Sequence, residues 1–569
     1  MGHRVSELMI SVFAGGERDK FGRQKNARLP LLLPKVMEGR PIASDSPLLS
    51  LPPEILGDII DLIADEKTTL AALALVNSDC RQLARSCQFA DICFDYGRNS
   101  SQLLLRLSDE ARTRLGCAVG GNTTRPLFIG PCIRRVTVSP HPEWVAHVHN
   151  DLYESIWGDA ADVFPREKRD QLSKKAFDWY MATFRTPLLI TLKQAMPNIE
   201  ALSWCDGMCL DDTFFKIVTH LPIQSLKMSR VHIGEPYRLE PPMTPPAMPL
   251  ESLSFGAHLC DEKVHKEERT GDADTQGNRN PIFRQALSTC QPFRDLETLV
   301  VPYLGDQSAA TALVVVDFIS RHPHARKLSV SRGAPQFMDS RLLPLLSGGR
   351  WSNLASLSLA WDEPGIEETT RRNIATISTE SLAAIGSIVS LEQLHLSAGE
   401  PAGWRHQWLV DHIVVRSNLR GLARLKRLAF SRDTYMVPGG LSALDEEGYY
   451  ERRLVTPADR NEALEWAALG GAGSIRHMDE REGNNDNGPG LTDHEIWERA
   501  HRNRMIQEAE RYAAVFQQLE WVYCGQWPMD IRKEQTLSGI NRFAVPLGKS
   551  RDSCRTLLGR MFAMGEDDD

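Results

Sequence analysis

Several short runs in the sequence carry residue types that bind metals or transfer protons, but their spacing does not suit that chemistry. His494-Glu495 followed by His501 has the composition of a zinc-binding protease helix. The second histidine comes seven residues after the first, about 10.5 Å along a helix, which is too far for one zinc ion. Cys205 and Cys209 are close in sequence, yet no second pair of cysteines or histidines lies nearby to complete a tetrahedral site. These groups therefore predict structural residues and no metal centre.

The remaining candidate sites each lack an essential residue. The run 470–474 is rich in glycine but lacks the Lys-Ser/Thr pair of a phosphate-binding loop. The run 483–488 has the look of a calcium loop, but Gly483 stands where the first carboxylate must be. Three histidines lie close together without a carboxylate or cysteine at a suitable spacing: His141, His147 and His149. The sequence therefore predicts no catalytic, metal-binding or cofactor-binding site, and a chain that is not an enzyme.

The composition limits the class of protein. At 569 residues the chain is too long for one core, so about two to four structural units are expected. The formal charge of -8 is spread along the chain and favours neither nucleic acid nor a membrane surface as a partner. Eleven cysteines, an odd number, and the short apolar stretch at the N-terminus favour a cytoplasmic or nuclear location. No run approaches the roughly 18 apolar residues of a membrane span.

The N-terminal part of the chain predicts three short helices. Residues 1–46 lack sustained periodicity and predict a disordered segment, whereas residues 47–98 are helical in pattern. Pro53 suits the first turn of a helix, where its missing N–H is not needed. The apolar positions recur at helical spacing: Ile55, Ile59, Leu62 and Ile63, then Leu70, Leu73, Val76 and Cys80, then Leu83, Cys87 and Phe89. A unit of this size cannot bury this much apolar surface by itself. Another protein or the rest of the chain must therefore cover it.

One phrase of the form apolar-x-x-apolar-x-apolar recurs through the rest of the chain and is typical of a strand. Its ten occurrences begin at Ile133, Ile199, Ile223, Leu250, Leu296, Ala325, Leu354, Leu391, Leu425 and Leu519. Helical patterns at 212–221, 309–322 and 379–388 lie between them. Repeated strand–helix units predict an α/β fold, an irregular solenoid in which each unit covers its neighbour's apolar edge.

These patterns divide the sequence into four segments. The expected segments are a disordered N-terminus (1–46), a three-helix unit (47–98), a repeat domain (99–540) and a tail (541–569). Polar interruptions at 256–281, 434–460 and 474–490 are expected to be surface loops of the repeat domain.

The three-helix segment resembles an F-box. The resemblance rests on Leu51-Pro-Pro-Glu-Ile55 at its start and on Leu75-Val76 at its centre, at the expected separation. In that family the unit binds a Skp-type adaptor, which links it to a cullin-based ubiquitin ligase. Carried over position by position, the adaptor would contact Leu51, Pro52, Ile55, Leu75 and Val76. Cys80 stands where many F-boxes have Trp or Phe. The smaller side chain buries less apolar area, and the lost free energy of about 1–2 kcal/mol is expected to weaken adaptor binding.

The repeats resemble the leucine-rich repeat family over roughly residues 130–530. The match is irregular, because the Asn or Cys that follows the phrase in that family is mostly absent. The order of F-box and repeats is familiar from fungal proteins, which the segment 519–529 resembles most. Side chains that alternate away from the core are expected to line an open face for a protein target. The candidates are Arg135, Thr137, Ser203, Lys227, Ser254, Lys327, Ser329, Gln393, His395 and Arg427.

The resemblance therefore implies a substrate-recruiting F-box subunit of an SCF-type ubiquitin ligase. Its partners would be the Skp-type adaptor, the cullin ligase core and an unknown protein substrate. The alternative is a scaffold outside any ligase, in which the first helices only cap the solenoid.

Overall fold

A computed structural model describes most of the chain. It describes residues 33–38, 46–63, 66–120, 127–140, 165–229, 231–233, 249–255, 288, 292–301, 309–361, 377–399, 408–435, 454–468, 492–536, 539–547 and 554–562. Within these ranges the chain forms two compact units, of which the first ends at Leu296 and the second begins at Glu297. None of the described helices is long and apolar enough to cross a membrane.

The first unit begins with a bundle of short helices. They are α1 (Leu33–Val36), α2 (Pro53–Ile63), α3 (Lys67–Val76) and α4 (Ser78–Gln88). Asn77 separates α3 from α4, and its Oδ1 accepts a hydrogen bond from the Cys80 amide at 2.7 Å, which caps α4. Three helices therefore occupy the segment for which the sequence predicts three. Helix α1 lies within residues 1–46, which the sequence predicts to be disordered. That prediction is wrong for α1, because Val36 and Met37 are buried there. Residues 1–32 and 39–45 lie outside the described residues.

The rest of the first unit alternates helices with parallel strands. The helices are α5 (Arg98–Gly120), α6 (Arg166–Tyr180), α7 (Thr186–Ala195) and α8 (Asp212–Val218). The strands are β1 (Asp91–Phe94), β2 (Arg135–Val138), β3 (Ala201–Trp204), β4 (Ser225–Met228) and β5 (Ser252–Phe255), each paired in parallel with the next. A π-helical turn, Met181–Arg185, joins α6 to α7. The short strands Cys209–Leu210 and His232–Ile233 also pair in parallel.

The second unit continues the same alternation and ends in a hairpin. Its parallel strands are β6 (Thr298–Val301), β7 (Lys327–Gly333), β8 (Ser356–Trp361), β9 (Gln393–Ala398), β10 (Arg427–Ser431) and β11 (Trp521–Cys524). The antiparallel strands β12 (Trp527–Thr536) and β13 (Gly539–Pro546) follow. The helices are α9 (Ala309–Ser320), α10 (Leu343–Ser347), α11 (Thr379–Gly386), α12 (His412–Leu419), α13 (Pro457–Ala468), α14 (Asp493–Val515) and α15 (Cys554–Phe562).

The ten repeated phrases coincide with the parallel strands β2 to β11, and within each unit equivalent positions pair directly. Gln393, for example, pairs with Ser356 on one side and Arg427 on the other. The first, fourth and sixth positions of every phrase are buried, as the pattern predicts. The carbonyl oxygen of Arg134 accepts hydrogen bonds from the Glu200 and Ala201 amides at 2.7 and 3.1 Å, and later phrases repeat this link. The mixed α/β fold with alternating strands and helices is therefore confirmed.

Two expected boundaries are corrected by the structure. The sequence predicts a tail at 541–569, but β13 extends to Pro546 and α15 occupies 554–562. The sequence predicts a loop at 434–460, but Thr434 lies in a short strand with Asp433 and α13 begins at Pro457. Apolar residues at helical spacing in α15 give that segment a packing surface, which accounts for its order. The predicted loops 256–281 and 474–490 lie outside the described residues.

Candidate functional site

The N-terminal bundle has a core of its own. Leu56 and Ile60 of α2 pack with Cys80 and Leu83 of α4, and with Met37 before them in the chain. Four of these positions are spaced by three or four residues along their helices, so each helix presents one stripe to the others. The three helices are therefore held in place by residues other than those predicted to bind an adaptor.

The bundle is also attached to the following part of the first unit. The Gln82 side-chain amide donates to the carbonyl oxygens of Val36 and Phe128 at 3.2 and 2.8 Å. An ion pair of 2.6 Å joins Arg114 of α5 to Glu38, which follows α1. One side of the bundle thus packs against its own chain, as the capping alternative requires.

A second set of apolar side chains on the same helices is exposed to solvent. Ile55 is 48% exposed, Leu75 81% and Val76 67%, although all three are large aliphatic residues. Pro52 is exposed and Leu51 is half-buried. Exposed aliphatic side chains that neighbour one another, as Leu75 and Val76 do, favour a role in binding another protein, whereas isolated ones are ordinary. The structure therefore places the five residues predicted to bind an adaptor outside the core of the bundle.

Leu62 is a further exposed aliphatic residue of α2 that is not among the five residues predicted to bind an adaptor. It is 84% exposed and recurs with Ile55 and Ile59 at helical spacing. Helix α2 carries two apolar stripes, because Leu56 and Ile60 face the core whereas Ile55, Ile59 and Leu62, spaced by four and three residues, form a second stripe that is half-buried or exposed. The apolar band of α2 is wider than one small core needs, and that width is the signal that could have identified Leu62.

Cys80 lies in the core of the bundle and not at a surface where an adaptor could contact it. Its side chain is only 1% exposed and belongs to the core of the bundle, where burial raises the pKa of its thiol. Its small size therefore affects the packing of α4 against α2 and leaves the exposed side chains of α2 and α3 unchanged. The expectation that Cys80 removes area from an adaptor interface is wrong for this geometry.

The polar strand positions predicted to receive a target do not form a uniformly open face. Arg135, Thr137, Lys327, Gln393 and Arg427 are half-buried. The remaining candidates are buried: Ser203, Lys227, Ser254, Ser329 and His395. In the first unit, Arg135 lies 3.6 Å from Asp91.

His395 is the clearest departure from that expectation, because it is completely buried. Its Nδ1 lies 2.8 Å from Ser358 Oγ and its Nε2 lies 2.9 Å from Ser431 Oγ, on the strands to either side. The ring of Phe562 in α15 packs 5.5 Å from the imidazole. Burial lowers the pKa of His395 from 6.5 to about 3, and the charge of Arg432 adds to the effect. With α15 in place, the residue is thus a neutral bridge between strands and is covered from a substrate.

The described residues hold no arrangement suited to metal chemistry. No group of three or more His, Cys, Asp or Glu side chains within the described ranges could hold a metal ion. His501, part of the rejected zinc pattern, lies within hydrogen-bond distance of the Gly525 carbonyl at 3.0 Å and is buried. His494 stands on the exposed side of the same helix, 3.9 Å from Glu498.

Comparison with known proteins adds no relative. No protein-family model matches the chain, and no curated protein matches its sequence. The fold and the surfaces define a mixed α/β protein of repeated strand–helix units, with an apolar surface exposed on its N-terminal helices.

Proposed function

We propose that this chain is a substrate-recruiting F-box subunit of an SCF-type cullin ubiquitin ligase. The N-terminal helices bind a Skp-type adaptor, and the leucine-rich-repeat-like strand–helix units bind a protein target. The chain itself performs no chemistry in this scheme. It holds the target beside a ubiquitin-charged enzyme, which raises the effective concentration of the acceptor lysine and orients it. Such a subunit acts in the cytoplasm or the nucleus.

The exposure of Ile55, Leu75 and Val76 is the observation that carries this proposal. These positions match the F-box pattern at which the family contacts its adaptor, and they are not used to hold the bundle together. If the helices served only as a cap, their large aliphatic residues would be expected to face the chain they cover.

The alternative is a scaffold outside any ligase whose first helices cap the repeats. The hydrogen bonds of Gln82 to Val36 and Phe128 favour such a cap. The two roles use different sides of the bundle, so capping explains the inner contacts and leaves the exposed side chains unexplained. Binding to the adaptor therefore separates the two functions.

The decisive experiment replaces the exposed pair of α3. The full chain with Leu75→Ser and Val76→Ser is compared with the wild type for binding to a purified Skp-type adaptor by titration calorimetry. Burial of each side chain at an interface contributes about 1.5–3 kcal/mol, so we expect the affinity to fall at least about 100-fold. The matched control is Leu105→Ser with Val389→Ser, a similarly exposed pair elsewhere in the chain, and we expect unchanged binding.

A stability measurement shows that the loss of binding is not a loss of folding. Because Leu75 is mostly exposed, its replacement should change the free energy of unfolding by no more than about 0.5 kcal/mol. Leu83→Ala, in the core of the bundle, should instead cost about 2–5 kcal/mol. Absence of adaptor binding by the wild type, or equal binding by both serine variants, would support the scaffold.

A further inference from the structure

The C-terminal helix α15 covers part of the strand surface that the sequence predicts to be open. It lies against β8 and β9. Its four large apolar side chains are buried in one cluster with residues of the neighbouring strands and with the residue that follows β13. The cluster comprises Leu557, Leu558, Met561 and Phe562 with Ala429, Trp521, Tyr523 and Leu547. The ring of Phe562 lies between two strand residues, 5.5 Å from His395 and 6.3 Å from Trp521.

The strand surface beneath α15 is polar on one side and aromatic on the other. Ser358, His395, Ala429 and Tyr523 pair in register from β8 to β11, so the surface changes from polar to aromatic along one row. Ala429 is the smallest side chain of the row, and it packs in the same cluster as α15. Trp521 and Tyr523 stack at 6.1 Å and form the aromatic side. The surface is therefore shaped to receive an amphipathic helix.

The order of α15 depends on this packing. The helix has nine residues, and isolated helices of that length are marginal in water. The gain from burying four apolar side chains is opposed by the entropy lost in ordering nine residues, and these two terms are of similar size. The free energy that holds α15 on the strands is therefore a small difference between these two terms.

One polar group in this cluster lacks a hydrogen-bond partner. The indole Nε1 of Trp521, which packs against Phe562, is buried and has no partner among the described residues. A buried donor without an acceptor costs free energy, so α15 is an incomplete match for this surface. An incoming helix that places a side-chain oxygen near Trp521 would gain a hydrogen bond that α15 does not provide.

We propose that α15 is an internal ligand of this surface, and that the protein target binds by displacing it. The target class is an amphipathic helix with two adjacent pairs of large apolar residues, spaced four positions apart like 557–558 and 561–562. This inference rests on the proposed function, because it names the kind of target that the repeat domain recruits. In the resting chain the surface is closed, and a target helix of higher affinity opens it.

A peptide with the sequence of α15 tests the exchange. The probe is a fluorescein-labelled synthetic peptide of residues 551–564, and the protein is the full chain with Leu558→Asp and Met561→Asp, which disables its own helix. We expect the peptide to bind this variant at least 10-fold more tightly than the wild type, whose tethered helix competes at high effective concentration. The same peptide with both aspartate substitutions is the matched control and should not bind. Equally weak binding of the original peptide to the variant and to the wild type would overturn the proposal.

Hydrogen exchange of the wild-type chain keeps the test decisive if that variant does not fold. We expect the amides of 554–562 to exchange at least 10-fold faster than those of 427–431, and still faster when unlabelled peptide is added in excess. Slow exchange of α15, equal to that of β10 and unaffected by the peptide, would show that the helix is a permanent part of the core.

The adaptor titration distinguishes this inference from the recruitment proposal. The variants of α15 lie in the second unit, so their adaptor affinity should equal that of the wild type. Normal adaptor binding without peptide exchange would refute only the inference about α15. Peptide exchange without adaptor binding would establish a helix-binding protein that belongs to no SCF complex.

Discussion

Acid should destabilise the second unit through His395, and the size of the effect follows from its burial. The residue is neutral in the folded chain with a pKa of about 3, whereas the ordinary pKa of histidine is 6.5. Between these two values the unfolded chain binds a proton that the folded chain does not bind. The stability contributed by neutral His395 is therefore present above pH 6.5 and is lost as the pH falls toward 3, by about 1.4 kcal/mol per pH unit. At pH 5 the loss is about 2 kcal/mol.

Two further histidines of the second unit act in the same direction. Burial lowers the pKa of His322 and of His412 to about 4. Each therefore adds a loss of about 2 kcal/mol at pH 5. The raised pKa of Glu510, which burial also causes, works against them as its carboxylate is protonated. The contribution of one histidine is best isolated by the difference between a variant and the wild type.

The variant for this measurement is His395→Gln, because an amide supplies one donor and one acceptor for Ser358 and Ser431. Urea unfolding of the full chain, followed by tryptophan fluorescence at pH 7 and pH 5, gives the change in unfolding free energy. We expect the wild type to lose about 2 kcal/mol more than the variant over this interval. His494→Gln, on an exposed helix surface, is the control and should follow the wild type. Parallel losses in the wild type and His395→Gln would refute the argument from burial.

Two other substitutions test close packing and buried charge. Gly386→Ala would place a methyl group 2.0 Å from the carbonyl oxygen of Asn418 and should lower the free energy of unfolding by about 1–3 kcal/mol, measured by urea titration. Gly116→Ala, in a helix where the methyl group meets nothing within 4 Å, is its control and should stabilise the chain by about 0.5–1 kcal/mol. Asp206→Asn removes the anion that lies 2.8 Å from buried Arg185, and should lower the free energy of unfolding by about 3–5 kcal/mol. The measurement is the melting temperature, which should fall. An unchanged melting temperature would contradict this reasoning.

The strands could be predicted because their signal is local. Three apolar positions within six residues point to the core in each phrase, and the buried first, fourth and sixth positions follow from that alternation. The register between strands follows as well, because equivalent positions pair directly within each unit. Because the phrase recurs, the clear occurrences identify the weaker ones, and a poor match at one position does not change the predicted strand.

The failures involve contacts between residues far apart in the sequence. The sequence around His395 does not indicate that Phe562 covers it, because 167 residues separate the two. The pairs at 557–558 and 561–562 carry a helical signal that the prediction of a tail overlooked. In α2, alternation alone could not show which of two apolar stripes faces the core, because Leu56 and Leu62 are equally apolar. Those assignments depend on what each surface meets in space.

The antiparallel hairpin of β12 and β13 has a consequence for self-association. A row of parallel strands leaves backbone N–H and C=O groups unpaired at its last strand, where another chain could add its own. Here β11 pairs instead with β12, and the outer strand β13 ends at Pro546, which has no N–H to donate. Lys533 and Glu534 add charge to the ribbon. The hairpin thus disfavours the addition of a strand from another chain at this end of the sheet, and with it the growth of fibres.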